Sequence, residues 1–330
     1  MKRRQNNFVN FILLSAAGLL SAVSAQACDF CMMGQGVSPY LTSSGRGLTL
    51  GINYTNSDGV YDKATQTYPD IKKEGWLIYS LTGFYAVTDQ LSVLFTLPYV
   101  EKTNLDYDPS SNTTPGQQTN GISDVTLSAR YTFFMRHTLE STLVAGAVAG
   151  VKFPTGSTHT LDYQGNPVDR HVLPGTGSFD FPVGLSGAYT FGGKYQLTAD
   201  VVYSLNTEGN WDGDPHRYGN SLNYNVKGFY KILPSEPGEK SLFGYLGVSG
   251  DTMGKETGVR SDSGYSDVVN DSSGGTVLFW NVGLYANLNA STIVNLGFAK
   301  AFYRYMNYST NFDTDPAEDY KIDFSITYLF

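Results

Sequence analysis

The chain has 330 residues and a formal net charge of −8, with charged residues at 16% and aromatics at 14%, including 24 Tyr and 19 Phe. That charge fraction is well below the roughly 25% usual in soluble domains, and the acidic balance argues against nucleic acid as a partner. Beyond the N-terminal leader no run of about 18 apolar residues occurs, which excludes membrane-spanning helices.

The N-terminus reads as a secretory leader over 1–27. Lys2, Arg3 and Arg4 form its basic start, Phe8 to Leu20 its apolar stretch, and small residues at Val23-Ser24-Ala25 and Ala25-Gln26-Ala27 place cleavage after 25 or 27. The apolar stretch is too short for a permanent anchor helix. Residues 28–45 then make an N-terminal periplasmic segment, a candidate plug, that holds both cysteines, Cys28 and Cys31. A disulfide between them suits an oxidising periplasm, and a redox-active pair is the alternative. One Cys-x-x-Cys supplies only two thiolates, and no His follows Cys31 for haem attachment.

From residue 46 to 330 the sequence alternates with period two, the mark of half-buried strands. The spacing predicts about twelve strands, at 46–55, 75–87, 90–102, 120–134, 138–153, 177–191, 194–207, 218–232, 240–252, 276–289, 292–305 and 319–330. Each is near the roughly 9–11 residues that a tilted strand needs to cross a bilayer. The last is the cleanest: Tyr320, Ile322, Phe324, Ile326, Tyr328 and Phe330 share one face, Lys321, Asp323, Ser325 and Thr327 the other. In 292–305 Lys300 falls on the face of Leu296 and Phe298, which calls for a bulge or a shifted register.

The connections alternate in length. Short ones fall at Thr88-Asp89, Met135-Arg136-His137, Gly192-Gly193, Pro234 to Gly238 and Ala290-Ser291, and long polar ones at about 56–74, 103–119, 154–176, 208–217, 253–275 and 306–318. Short periplasmic turns and long extracellular loops are the habit of bacterial outer-membrane barrels. In lipid every backbone N–H and C=O must be paired inside the protein, which a closed sheet achieves. The expected fold is therefore all-β, a transmembrane antiparallel up-and-down barrel in the bacterial outer membrane. Its immediate surroundings would be outer-membrane lipid and lipopolysaccharide.

On the face opposite the apolar one lie the candidate lumen residues: Asp124, Arg130, Glu140, Lys152, Asp180, Asp200, Lys227, Lys231, Lys321 and Asp323. Their mixed signs suit either a transverse field that orients solutes or an internal ion-pair network in a narrow barrel. The terminal Tyr328-Leu329-Phe330, with aromatic or aliphatic residues at every second position, is similar to the sorting signal read by the barrel-assembly machinery, with Tyr328 and Phe330 as its carriers.

Four dispersed motifs follow one another: Leu97-Pro98-Tyr99; Gly121-Ile122-Ser123-Asp124 running into Leu127-Ser128-Ala129-Arg130-Tyr131; Val151-Lys152-Phe153-Pro154-Thr155-Gly156; and Pro174-Gly175-Thr176-Gly177-Ser178-Phe179-Asp180. In their order the chain resembles the outer-membrane transporter family associated with the phenol-degradation meta-pathway, with Ser123-Asp124 where that family has Gly-Asp. The resemblance spans about 90–330 and implies a channel, for aromatic or other hydrophobic compounds. Locally, Pro98 and Pro154 suit strand positions that donate no ladder hydrogen bond.

His137, His159, His171 and His216 show no metal-binding spacing, and no nucleophile or phosphate-binding motif occurs; no cofactor is implied. Asp212-Gly213-Asp214 and Asp313-Thr314-Asp315 read as acidic loops. The functional expectation is a non-enzymatic channel for small solutes. A structural or adhesion barrel whose loops bind an external partner is the alternative, and a barrel hydrolase a remoter one.

Overall fold

The computed structural model describes residues 45–58, 72–106, 116–161, 168, 170–233, 240–261, 264–307 and 317–330. The expected leader and the segment with Cys28 and Cys31 lie outside them. In chain order the strands are β1 (Arg46–Asp58), β2 (Lys72–Ala86), β3 (Leu91–Asp106), β4 (Gly116–Ile122), β5 (Val125–His137), β6 (Ser141–Phe153), β7 (Asp180–Phe191), β8 (Tyr195–Asn206), β9 (Gly209–Trp211), β10 (Asp214–His216), β11 (Ser221–Leu233), β12 (Ser241–Met253), β13 (Glu256–Ser261), β14 (Gly264–Asn270), β15 (Gly275–Asn287), β16 (Thr292–Met306) and β17 (Ala317–Leu329).

All pairings are antiparallel, and the sheet closes because β1 pairs with both ends of the chain's order: Leu50 faces Ile326 on β17 and Leu81 on β2. β4 and β5 act as one strand. β4 pairs with the upper part of β3 (Tyr99↔Ile122) and β5 with the lower part (Thr96↔Thr126). The interruption at Ser123-Asp124 lies opposite Pro98, which has no N–H to give the ladder, although its carbonyl still accepts from Ser123 N at 2.9 Å. Counted this way, the described residues form a twelve-stranded barrel. Two extracellular hairpins, β9–β10 and β13–β14, extend from it.

Alternation places every second side chain on the lipid side. Leu50, Leu81, Leu197, Leu246, Leu284 and Ile326 are exposed there as a mid-height apolar band. Aromatic rings flank it on both sides. Toward the extracellular ends are Tyr54 against Tyr320 at 6.0 Å, Phe153 against Phe179 at 5.9 Å and Trp280 against Phe302 at 4.8 Å. At the periplasmic rim are Tyr195 against Tyr230 at 5.4 Å and Tyr328 against Phe330 at 6.1 Å. An apolar belt between aromatic girdles on a closed sheet is the surface a bilayer requires. The barrel is an outer-membrane one.

Of the register shifts among the described strands, those in β5, β16 and β17 bear on the expected pattern. In β5 the register shifts between Thr132 and Phe134, so both Phe133 and Phe134 face outward. This carries the strand through Met135-Arg136-His137, where a turn was expected, and moves the turn to Thr138–Glu140, held by the Thr138 hydroxyl accepting from Ser141 N at 3.0 Å. In β16 the shift falls after Ala301, opposite Leu278 and Phe279, and in β17 it lets Asp319 reach the outer surface. Lys300 therefore does face outward, and Asp319 meets it at 2.5 Å. The pair sits near the extracellular girdle, where a long cationic side chain reaches the polar boundary.

Candidate functional site

The inner wall is polar over much of its height. Thr49, Asn53, Thr82, Thr96, Thr126, Ser128, Asn223 and Asn225 all point inward and are buried. Charges cross the interior among them. Lys321 on β17 pairs with Asp251 on β12 at 2.7 Å and with Glu318 at 2.8 Å. Asn223 donates to Asp251 at 2.7 Å, Asn295 to Asp323 at 3.1 Å, and Asn225 to Asp200. Arg130 donates to Ser186 at 2.8 Å and lies in the field of Asp200; Lys227 acts on both Asp200 and Asp323. Arg130, Asp200, Lys227 and Asp323 thus alternate in sign from β5 to β17. Such alternation offsets part of the desolvation each charge would suffer alone.

Three further candidates sit elsewhere. Asp124, Lys152 and Asp180 are on the inner side but completely covered. Lys152 pairs with Asp180 and lies 3.7 Å from Asp124. Asp124 accepts from Gly156 N at 2.9 Å, Thr176 N at 2.8 Å and the Thr176 hydroxyl at 2.7 Å. Asp180 accepts from the Ser178 hydroxyl at 2.9 Å and Thr207 N at 2.9 Å. The Ser123 hydroxyl donates to the Pro174 carbonyl, and Gly156 packs so closely on Gly175 that a Cβ on either would overlap the other's backbone. The dispersed motifs therefore meet in one buried polar knot. Glu140 does not face the lumen as expected: it lies in the exposed turn before β6, because the β5 bulge displaces the turn onto it. Lys231 is half-buried near the periplasmic mouth of the lumen.

What the knot fastens is the connection between β6 and β7, which was expected to be solvated loop. Its second half folds into the barrel as a short 3-10 turn, Arg170–Val172. Val168, Val172 and Leu173 are buried with Trp211 of β9. The lumen wall holds the turn's carbonyls: Lys102 donates to Leu173 O at 2.8 Å, and the Thr119 hydroxyl donates to Val172 O. Beneath it the lumen is spanned by apolar side chains. Met253 of β12 joins Trp76 and Ile78 of β2 and Val100 of β3 in one buried cluster, although four strands separate β12 from β2.

A buried ionic cluster ties this inward turn to the hairpins above it. Glu256, at the start of β13 and 0% exposed, meets Arg170 Nε at 2.8 Å, His171 Nε2 at 3.5 Å and His216 Nε2 at 3.8 Å. His171 Nδ1 also lies 3.7 Å from Glu74 of β2, so the cluster reaches the barrel wall. His216 Nδ1 is 3.0 Å from Gly258 O, the Tyr218 hydroxyl donates to Arg170 O at 3.0 Å, and the Arg170 guanidinium lies 5.6 Å over Trp211. Burial would raise the Glu256 carboxyl, but the Arg170 charge and the hydrogen bond from His171, with smaller contributions from the two imidazoles when protonated, outweigh it and hold the group well below the usual carboxylate range. Burial pushes His216 down to about 4, against the opposing pull of Glu256. Among the described residues no group of His, Cys, Asp and Glu is arranged to hold a metal ion.

This cluster escaped sequence reasoning because its members come from four separate connections and strands. The one local signal was apolar: Val168, Val172 and Leu173 in a segment otherwise polar. The remaining histidines are peripheral. His137 Nδ1 meets the Thr142 hydroxyl at 3.0 Å, and exposed His159 pairs with Asp212 of the β9–β10 hairpin. Tyr328 and Phe330 lie exposed at the periplasmic rim, where Arg46 Nε donates to Phe330 O at 3.2 Å.

A solved structure shares this architecture: an outer-membrane channel from Pseudomonas putida F1, 16% identical, aligned over 86% of this chain and 96% of that one with a TM-score of 0.60. The fold is common to both. A Pseudomonas aeruginosa FadL homologue (12% identity, 94% and 99% covered, TM-score 0.41) and the Pseudomonas putida toluene transporter TodX (10%, 93% and 96%, 0.40) align more loosely. No family model matches the chain, and no curated protein matches it in sequence.

Proposed function

We propose that the barrel conducts small solutes across the outer membrane through its lumen, and that the structure is its closed state. The observation that carries this is the interior. Ionic and amide groups line it from Arg130 to Lys321, while a separate, loop-borne ionic cluster closes its extracellular end. Each of these charges loses hydration in the closed barrel and would regain it in a water-filled lumen. The closing segment adds no strand to the sheet, so releasing it leaves the barrel ladder intact. Hydrophobic or aromatic compounds are the substrate class we favour, supported by the apolar side chains that the upper lumen presents, among them Trp76, Val277 and Phe279. The terminal Tyr328 and Phe330 serve assembly of the barrel into the membrane.

The test is reconstitution in planar bilayers of the full-length mature protein beside a variant lacking residues 160–173. The shortened variant should show larger and more frequent openings in potassium chloride. Absence of conductance from both proteins, each shown to be folded by its heat-dependent gel shift, would overturn the proposal.

A further inference from the structure

The periplasmic end of the lumen carries a feature that closure of the other end does not explain. On one side of it four neighbouring aromatic side chains turn inward: Phe229 on β11, Phe243 and Tyr245 on β12, and Tyr285 on β15. Their direction follows from alternation, since they share faces with Asn223, Asp251 and Asn281. The rings touch one another. Phe229 lies 5.1 Å from Tyr245 and 6.3 Å from Tyr285, and Phe243 lies 6.1 Å from Tyr285, at tilted or edge-on angles. Gly283 and Gly297 make room for Tyr245, for a Cβ at either would overlap its hydroxyl.

Two lysines of β11 accompany these rings. Lys227 Nζ is 5.3 Å from the Tyr245 centroid and Lys231 Nζ is 5.9 Å from that of Phe243. Their circumstances differ. Lys227 stands between Asp200 and Asp323, which already balance it. Lys231 has no carboxylate in ion-pair range among the described residues, and the Tyr285 hydroxyl has no hydrogen-bond partner there. A half-buried ammonium and an unused phenol donor thus border a wall of aromatic faces. A ring face attracts a cation far less than a carboxylate does. A flat apolar body stacks on such a wall. One ligand type satisfies both demands at once, an anion attached to a planar ring.

We infer that this patch is a binding site for aromatic monocarboxylates, with the ring against Phe243 and Tyr285 and the carboxylate on Lys231. The inference rests on the channel reading in one respect: the ligand reaches the site through the lumen.

The test uses the full-length mature barrel in detergent micelles, titrated calorimetrically with benzoate and with benzamide, its neutral counterpart. Benzoate should bind saturably, and benzamide about tenfold more weakly, the factor one charge-assisted hydrogen bond supplies. Lys231→Gln should weaken benzoate about tenfold and leave benzamide unchanged, and Lys231→Arg should restore benzoate. Phe243→Leu should weaken both ligands. No saturable benzoate binding, equal affinity for the two ligands, or parental benzoate affinity in folded Lys231→Gln would each overturn the site. The readout needs no ion flow. Conductance without benzoate binding refutes the site and leaves the channel; benzoate binding without conductance does the reverse.

Discussion

Glu256→Gln isolates what holds the extracellular end shut. The side chain keeps its size and one acceptor oxygen but loses the charge that faces Arg170 at 2.8 Å, with His171 and His216 within 3.8 Å. Removing one partner of a buried ion pair costs about 3–5 kcal/mol. Arg170 keeps its place over Trp211 and is slightly exposed, so the lower end of that range applies, about 3 kcal/mol. At 1.4 kcal/mol per factor of ten, the ratio of open to closed barrels should rise roughly 100-fold. Glu256 belongs to a hairpin outside the barrel sheet, so barrel stability in the denaturant midpoint should not move. Single-channel recording gives the open fraction, and limited proteolysis of the intact barrel reports release of the β6–β7 connection. Should Glu256→Gln stay closed and protease-resistant within about twofold of the parent, the cluster does not close the barrel.

The same cluster gives a pH dependence. His216 is neutral in the docked turn, down at about 4, and has its ordinary value of 6.5 once released, so docking is fully supported above 6.5 and loses support as pH falls toward 4. The depressed Glu256 carboxyl acts in the same direction below about 4.5. Openings recorded from pH 7.5 to 4.5 should therefore become more frequent with acidification, and His216→Phe should flatten the response between 6.5 and 4.5. In the knot, Asp124→Asn removes the charge facing Lys152 and weakens an acceptor for two amides and a hydroxyl. A loss of about 3 kcal/mol in urea unfolding is expected, along with faster proteolysis near Gly156. On the lipid face, Leu246→Arg at mid-height should cost about 2–4 kcal/mol in folding into vesicles, whereas Lys300→Leu, at the girdle, should change it by less than about 1 kcal/mol.

The sequence by itself determined the barrel. A period of two places Leu50, Leu246 and Ile326 outward and Thr49, Asn225 and Asp323 inward without reference to any partner strand, because that alternation is a property of one extended chain. Strand count, the side of the short turns and the inward direction of Lys227, Lys231 and Lys321 follow from the same local rule. Local rules also have local failures. The bulge at Phe133 and Phe134 moved a turn and carried Glu140 out of the lumen, and nothing in the pattern marks where an extra residue will be absorbed. Only the tertiary structure decided what fills the barrel. The four motifs between Leu97 and Asp180 could be seen as strand ends and turns, yet their meeting point depends on strands β3 to β7 lying side by side. Closure of the extracellular end depends on more distant partners still, with Glu74, Arg170, His171, His216 and Glu256 brought together from around the rim. A buried carboxylate's chemistry is set by the charges within a few ångströms of it, and distances of that kind across a lumen are written in no single stretch of chain.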